Sequence, residues 1–273
     1  MTREQRTWFI TGASRGLGRA FTEAALAAGD RVVGVARDVT PLHDLVGTAA
    51  GRLVAFPLDV ADRAAVVAGA RRAFEAFGRL DVVVNNAGGV VLGMVEELTE
   101  EQARAHLDTN FFGALWVAQA VVPLLREQGS GHLLQVSSMG SAGGFAATGL
   151  YSAGKAALDA LSEALAAEVE RFGVHVTIVQ PGGYVTDLFT RGLTTTDENP
   201  AYAPLRTRLA ELWSGSVDSD PRLAASVLLR VVDLPEPPKR LVLGSAAYDV
   251  VVDLTRARGA ELARWEHLSR DAG

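Results

Sequence analysis

A chain of 273 residues with 48% hydrophobic content holds enough apolar material for one sizeable core, and nothing in it has the composition of disorder. Its net charge of -6, with 26 lysines and arginines spread along the chain, leaves no basic patch for a nucleic acid. The absence of cysteine removes disulfides and thiol catalysis. No apolar segment approaches the roughly 18 residues that cross a bilayer, and the N-terminus lacks a signal-peptide pattern, so one cytoplasmic domain over 1–273 is expected.

The first predicted strand, TWFIT (7–11), runs into TGASRGLGRAF, with glycines at 12, 16 and 18. A turn from strand into helix needs glycine for tight geometry and close backbone approach, and the helix start then offers unpaired N–H groups to a pyrophosphate. The spacing is looser than G-x-G-x-x-G and lacks the GK[ST] of a triphosphate loop, so it reads as a dinucleotide cradle, with a purely structural turn as the alternative. A helix over about 17–28 follows, then RVVGVA (31–36), ending in VARD. An arginine at such a strand end suits a ribose 2′-phosphate, whereas a carboxylate suits the free hydroxyl. Arg37 and Arg15 together favour NADP(H) over NAD(H). Asp38 takes the ribose if the register slips by one, and both arginines are solvated surface groups in the bland reading.

RLVAF (52–56) leads to LDV (58–60), where Asp59 is placed to accept from an adenine amino group and Val60 to flank the ring. After a helix over about 61–77, DVVVNN (81–86) ends in NNAGG, whose glycines allow close approach and whose Asn86 can brace the turn. A long helical pattern over about 99–126 carries Asn110, a residue type that helix interiors disfavour, and then NFFGALW. Core packing or a subunit contact is the first reading of Phe111, Phe112 and Trp116, and a substrate wall the second. Glu96 and Glu97 read as solvated cap carboxylates or as selectors of a cation.

HLLQVS (132–137) is the fifth strand, and of Ser137 and Ser138 at its end only one can face the cofactor side. The helix over about 151–171 opens with Tyr151 and places Lys155 four residues on, so phenol and ammonium share a face within reach of one small group. VHVTIVQ (174–180) is followed by 186–216, a threonine- and proline-bearing run that reads as a lid or binding loop, or as a disordered insertion. A helix over about 221–234, the stiff PEPPKR connection and RLVLG (240–244) complete the alternation. Continuously apolar strands separated by crossover-length helices predict a doubly wound α/β sandwich around a buried parallel sheet. The histidines at 43, 106, 132, 175 and 267 show no ligand spacing, so no metal is expected.

With these residues in order, the chain resembles the short-chain dehydrogenase/reductase family. TGASRGLG looks like its cofactor loop, NNAG like its mid-sheet motif and YSAGK like its tyrosine–lysine signature, with Ser138 13 positions upstream of Tyr151 and PGG at 181–183. The resemblance covers 7–265 and implies a Rossmann-type domain with an approximately seven-stranded sheet, cofactor elements mainly in 7–110, catalytic elements in 110–186 and a substrate loop at 186–216. It implies cofactor contacts at Gly12, Ser14, Arg15, Gly16, Leu17, Gly18, Arg37, Asp59, Val60, Asn86, Ala87, Gly88, Pro181, Gly182 and Thr186, shared with Tyr151 and Lys155. Tyr151 becomes the general acid/base, Lys155 lowers its pKa and binds the nicotinamide ribose, Ser138 orients the substrate oxygen and Asn110 supports a proton-relay water. Within the family the chain is similar to the NADP(H)-preferring branch containing 17-beta-hydroxysteroid and retinol dehydrogenase-like enzymes.

The implied reaction interconverts a carbonyl and an alcohol on a small hydrophobic substrate, in a homodimer or homotetramer. A tyrosine at its reference pKa of about 10 is about one part in a thousand ionised at pH 7, so the ammonium and an oxidised nicotinamide would share a lowering of about three units. A silent dinucleotide sensor and an epimerase or dehydratase using retained cofactor are the competing readings.

Overall fold

The computed structural model describes residues 4–215 and 217–273. β1 (Thr7–Thr11), buried along its length, feeds α1 (Gly16–Ala27). β2 (Arg31–Ala36) is followed by the short α2 (His43–Val46) and by β3 (Leu53–Pro57). α3 (Arg63–Phe77) starts on Asp62, whose carboxylate accepts from the Ala65 N–H at 3.0 Å, and stops at Gly78 with φ +75°. β4 (Val82–Asn85) and β5 (Val90–Leu92) follow, then α4 (Glu100–Leu107), a five-residue π turn (Asp108–Phe112) and α5 (Gly113–Gln128). The chain continues through β6 (Gly131–Val136), α6 (Gly149–Val169) and β7 (Val174–Pro181). It then runs through β8 (Leu193–Thr195), α7 (Ala203–Ser214), α8 (Pro221–Val232), β9 (Arg240–Leu243), α9 (Ser245–Arg264) and α10 (Glu266–Arg270).

Seven strands form one parallel sheet in the order β3-β2-β1-β4-β6-β7-β9. The alternation of side chains along β1 shows how both faces are covered. Trp8 and Ile10 enter one apolar layer with Phe21 of α1 and Leu228 of α8, while Phe9 enters the other with Val66 of α3, Val121 of α5 and Val169 of α6. The expected doubly wound Rossmann-type sandwich is therefore what the chain forms. No helix among the described residues is long and apolar enough to cross a membrane.

Three features depart from the expected elements. The helix expected over 99–126 is divided by the π turn at 108–112. The segment 186–216 is not a bare loop, because it contains β8 and α7, and β8 pairs in parallel with β5 as a separate two-stranded sheet. α9 was also unforeseen. It lies over the turn after β6, where a Cβ on Gly143 would stand 3.2 Å from Cδ1 of Leu254 and where Arg258 donates to the Ala142 carbonyl at 2.7 Å.

Candidate active site

The residues expected to hold a nucleotide lie along the carboxyl edge of the sheet. Gly12 and Gly16 have φ of +63° and +53°, a region in which other residues are strained. A Cβ on Gly18 would stand 2.1 Å from the Gly12 carbonyl oxygen and 2.6 Å from Nδ2 of Asn86, so α1 begins directly against the loop. Arg15, at the cap position, makes no side-chain bond to the helix, so the first-turn N–H groups of Gly16, Leu17 and Gly18 have no side-chain cap. Ser14 and Arg15 are half-buried beside them. A glycine floor under an uncapped helix start fits a pyrophosphate.

Asn86 braces this cradle as expected: its Nδ2 donates to the carbonyls of Thr11 and Gly12 at 3.0 and 3.3 Å. Sequence reasoning missed Thr11, whose Oγ1 accepts from the N–H groups of Asn86 and Ala87 at 2.9 and 3.0 Å and so stitches β1 to the end of β4. A hydroxyl residue just ahead of the first loop glycine was the available signal. At the end of β2, Arg37 and Asp38 are both exposed. Asp38 Oδ1 accepts from the Thr40 N–H at 2.9 Å, and that bond first, then the Thr40 hydroxyl, holds the carboxyl below its usual range.

Asp59 is exposed at the end of β3, its Oδ1 accepting from the Ala61 N–H at 3.0 Å. Val60, next to it, packs its side chain into the core layer, where a Cβ on Gly113 would stand 2.8 Å from its Cγ2. Pro181 ends β7, and the Gly182 N–H donates to the Leu243 carbonyl at 3.0 Å. The chain then brings Thr186 back to the glycine turn, where a Cβ on Gly16 would lie 3.2 Å from the Thr186 Cβ.

The four expected catalytic residues surround the same edge. Ser138 caps the turn after β6, its Oγ accepting from the Gly140 N–H at 3.0 Å, and a Cβ on Gly140 would stand 3.3 Å from that Oγ and 3.6 Å from Cε1 of Tyr151, so the two residues face one point. Ser137 instead donates to the Lys155 carbonyl at 3.4 Å. Asn110 sits in the π turn, 2% exposed. Its Nδ2 donates to the His106 carbonyl at 3.0 Å and its Oδ1 accepts from the Gly89 N–H at 3.2 Å. The widened turn explains how a residue disfavoured in helices is kept here: it departs from the regular α ladder and its amide is bonded on both sides. A Cβ on Gly88 would be 2.7 Å from Asn110 Oδ1 and 3.6 Å from Lys155 Nζ, so Gly88 marks where the two groups converge.

The electrostatics differ from expectation at the tyrosine. Burial pushes the Tyr151 phenol up and the neighbouring Ser138 hydroxyl opposes it. Lys155, 5% exposed, donates its Nζ to the Val136 carbonyl at 2.8 Å, so its ammonium is taken up by the strand rather than by the phenol. Burial brings Lys155 down to about 8 against the opposing pull of Asp159. His106 is a neighbour that sequence reasoning did not place, although its position four residues ahead of Asn110 on a helix was a signal. Its ring meets Tyr151 at 6.0 Å and 64°, and burial, followed by the charge of Lys155, pushes it down to about 4.

The segment after β5 is fastened by Glu97, which is neither a solvated cap nor free to select a cation. Glu97 accepts from the N–H groups of Met94 and Asn199 at 2.8 and 2.9 Å, from the Thr196 hydroxyl at 2.9 Å and from Arg206 of α7 at 2.6 Å. Burial works to raise its pKa, but these bonds outweigh it and hold the carboxyl down at about 2. Phe112 and Trp116 stack at 5.8 Å, with Arg63 of α3 over the Trp116 ring, so these aromatics meet the α3 side of the molecule.

The sequence profile of the short chain dehydrogenase family matches residues 6–196. The chain belongs to the short-chain dehydrogenase/reductase family. This short-chain dehydrogenase is 38% identical over 269 residues to Oxidoreductase BOA17 of Botryotinia fuckeliana, covering 97% of this chain and 98% of that one. It is 32% identical over 240 residues to a 3-ketodihydrosphingosine reductase of Bacteroides thetaiotaomicron, covering 86% of each. A short-chain dehydrogenase structure from Streptomyces avermitilis superposes with a TM-score of 0.93 at 41% identity, over 99% of this chain and 100% of that one. Among more distant structures, one from Burkholderia cenocepacia in complex with NADP has a TM-score of 0.77 at 26% identity over 97% and 98% of the two chains. Another, from Burkholderia phymatum in complex with NAD, shares the fold with a TM-score of 0.81 at 23% identity over 95% of each. This short-chain dehydrogenase is thus an oxidoreductase whose structural neighbours hold NAD or NADP.

Proposed function

We propose that the protein is an NADP(H)-dependent oxidoreductase that interconverts a ketone or aldehyde with an alcohol. The observation that carries this reading is the convergence of Ser138, Tyr151, Lys155 and Asn110 beside the Gly12–Gly18 cradle. The nicotinamide, when bound, supplies or accepts the hydride. In the reductive direction Tyr151 gives its proton to the substrate oxygen while Ser138 donates a hydrogen bond to the charge developing there. Lys155 holds positive charge at the base of the cleft and binds the nicotinamide ribose. Asn110, at the wide turn, supports the water that returns a proton. In the oxidative direction the same groups act in reverse, with Tyr151 as base.

Support for NADP(H) comes from the end of β2. Asp38 spends an oxygen on the Thr40 turn, whereas Arg37 stands exposed with Arg15 in the adjoining loop. The apolar groups exposed beyond β7, Val185 at 65% and Phe189 at 52%, support a hydrophobic substrate. The name of the 3-ketodihydrosphingosine reductase points to the same chemical class. Phe112, exposed and stacked on Trp116, supports a homo-oligomer built on this helix face.

The test is oxidation of NADPH and, separately, NADH against a panel of hydrophobic ketones and aldehydes, repeated with Tyr151→Phe. Turnover with NADPH that falls about 10²-fold or more in the variant, with nucleotide binding kept, is the expected result. An undiminished Tyr151→Phe enzyme would overturn the assignment of the acid.

A further inference from the structure

Lys155 is buried one helical turn before a second buried charge. Asp159 is 6% exposed and, at i+4 on α6, shares the face of Lys155. Its Oδ2 accepts from Arg240 Nη1 at 2.6 Å and from Gln180 Nε2 at 2.9 Å. The other guanidinium nitrogen of Arg240 donates to Glu163 at 2.6 Å, one further turn along α6. Gln180 also donates to the Ser141 hydroxyl at 2.7 Å, and Ser141 in turn donates to the Ser138 carbonyl at 2.7 Å. One hydrogen-bonded path therefore runs from β9 through Asp159 to the turn that carries Ser138.

We propose that Asp159 is a positioning residue for the catalytic group, a fixed counter-charge that keeps the buried Lys155 in its ammonium form. Two independent aspects of the geometry carry this. An ammonium removed from water needs compensation, and the Val136 carbonyl that receives Lys155 Nζ is a neutral acceptor. Asp159, in turn, is anchored by donors from β7 and β9, so it stays in place without forming a close pair that would draw Lys155 away from the site. The other groups around Lys155 do not replace it. Tyr151 and Asn110 are uncharged, His106 is held in its neutral form by burial, and the hydroxyls of Ser137 and Ser138 carry no charge. Arg240 and Glu163 lie on the far side of Asp159, at 37% and 63% side-chain exposure. Asp159 accordingly raises the Lys155 pKa against the burial that lowers it.

The assignment rests on reading Lys155 as part of the proton-handling site, and the test separates the two. Lysine occurs only at 155 and 239 in the sequence, and Lys239 is exposed. Full-length protein labelled at lysine therefore gives two side-chain signals by NMR, one reporting the site and the other serving as control. Asp159→Asn keeps an oxygen for Arg240 and Gln180 but removes the charge. It is expected to lower the Lys155 pKa by about one unit, a tenfold change in the ammonium ratio, with Lys239 unmoved. Arg240→Gln removes the partner that offsets the carboxylate and is expected to move Lys155 in the opposite direction. Asp159→Glu is expected to restore much of the wild-type titration. In the assay, Asp159→Asn is expected to lose activity at neutral pH through kcat more than KM.

Shifts of opposite sign in the two variants support the proposal. A folded Asp159→Asn protein with an unmoved Lys155 titration overturns it, whatever happens to activity. Should Asp159→Asn fail to fold, an unmoved or lowered Lys155 pKa in Arg240→Gln overturns it equally. An active Tyr151→Phe enzyme would remove the proposed acid while leaving the Lys155 titration result standing.

Discussion

Glu97 and Arg206 meet across 109 residues of chain, one guanidinium nitrogen reaching both carboxylate oxygens at 2.9 and 2.6 Å. The contact binds the segment after β5 to α7, so the far end of the 186–216 segment is anchored to the same part of the fold that follows the NNAGG turn. Because the carboxyl is held at about 2, below its ordinary value of 4.5, its contribution is fully present above about 4.5 and is lost as pH falls through about 2. Thermal melts of the wild type between these limits should show an acid-dependent loss that is smaller in Glu97→Gln. Limited proteolysis of Glu97→Gln at pH 7 should cut within 193–214 faster than in the wild type.

Gly18 tolerates no side chain. With a Cβ 2.1 Å from the Gly12 carbonyl oxygen, Gly18→Ala must displace either the loop or the helix start. Because the displaced atoms are backbone, the loss should fall on nucleotide affinity by at least about tenfold, with a stability cost of about 1–3 kcal/mol as for other overpacked sites. Calorimetric titration with NADPH and a urea melt would measure the two effects. Unchanged affinity would count against the cradle.

Arg37 should govern nucleotide choice. A charged hydrogen bond to a 2′-phosphate is worth about 1.5–3 kcal/mol, so Arg37→Asp should weaken NADPH relative to NADH by about tenfold to a hundredfold in kcat/KM. An unchanged ratio would show that the 2′ position lies elsewhere.

His132 adds an acid sensitivity far from the cleft. Thr177 donates its only hydroxyl proton to the Pro238 carbonyl at 2.6 Å, so the His132 Nε2, 2.8 Å from that hydroxyl, is the donor to it. Burial, then the nearby His175 and Arg6, push His132 down to about 3 from 6.5. A base whose folded pKa is depressed favours folding above its unfolded value and loses that contribution as pH falls from 6.5 toward about 3. Between pH 7 and about 4.5 the site should cost about 2–3 kcal/mol. His132→Gln, neutral throughout and still a donor, should flatten that part of the urea-midpoint profile.

The doubly wound parallel sheet and the residues gathered at its carboxyl edge were legible because valine-rich strands, loop glycines and the Tyr151–Lys155 spacing are local signals. The parts that escaped depend on distant partners. β5 and β8 are three residues each and make sense only as a pair formed across about a hundred positions. Glu97 looked like a surface cap because its partners, Thr196, Asn199 and Arg206, arrive from the opposite end of the chain. The Tyr151 shift depends on burial and on the direction Lys155 takes, and neither can be read from an i,i+4 interval.

The wide turn at 108–112 also acts as a phase corrector between two helices. An α-helix advances about 100° per residue, so accommodating one additional residue there rotates everything after it relative to α4. His106 and Val117, 11 positions apart, would lie nearly in line on one uninterrupted helix; the wide turn separates them, so that α4 presents His106 to the interior while α5 presents Val117, Val121 and Leu125 to the sheet. Because the turn absorbs its extra residue, shortening it by one would return the segment to regular helix with the apolar stripe of α5 still on its strands, and the loss would fall on the seat of Asn110.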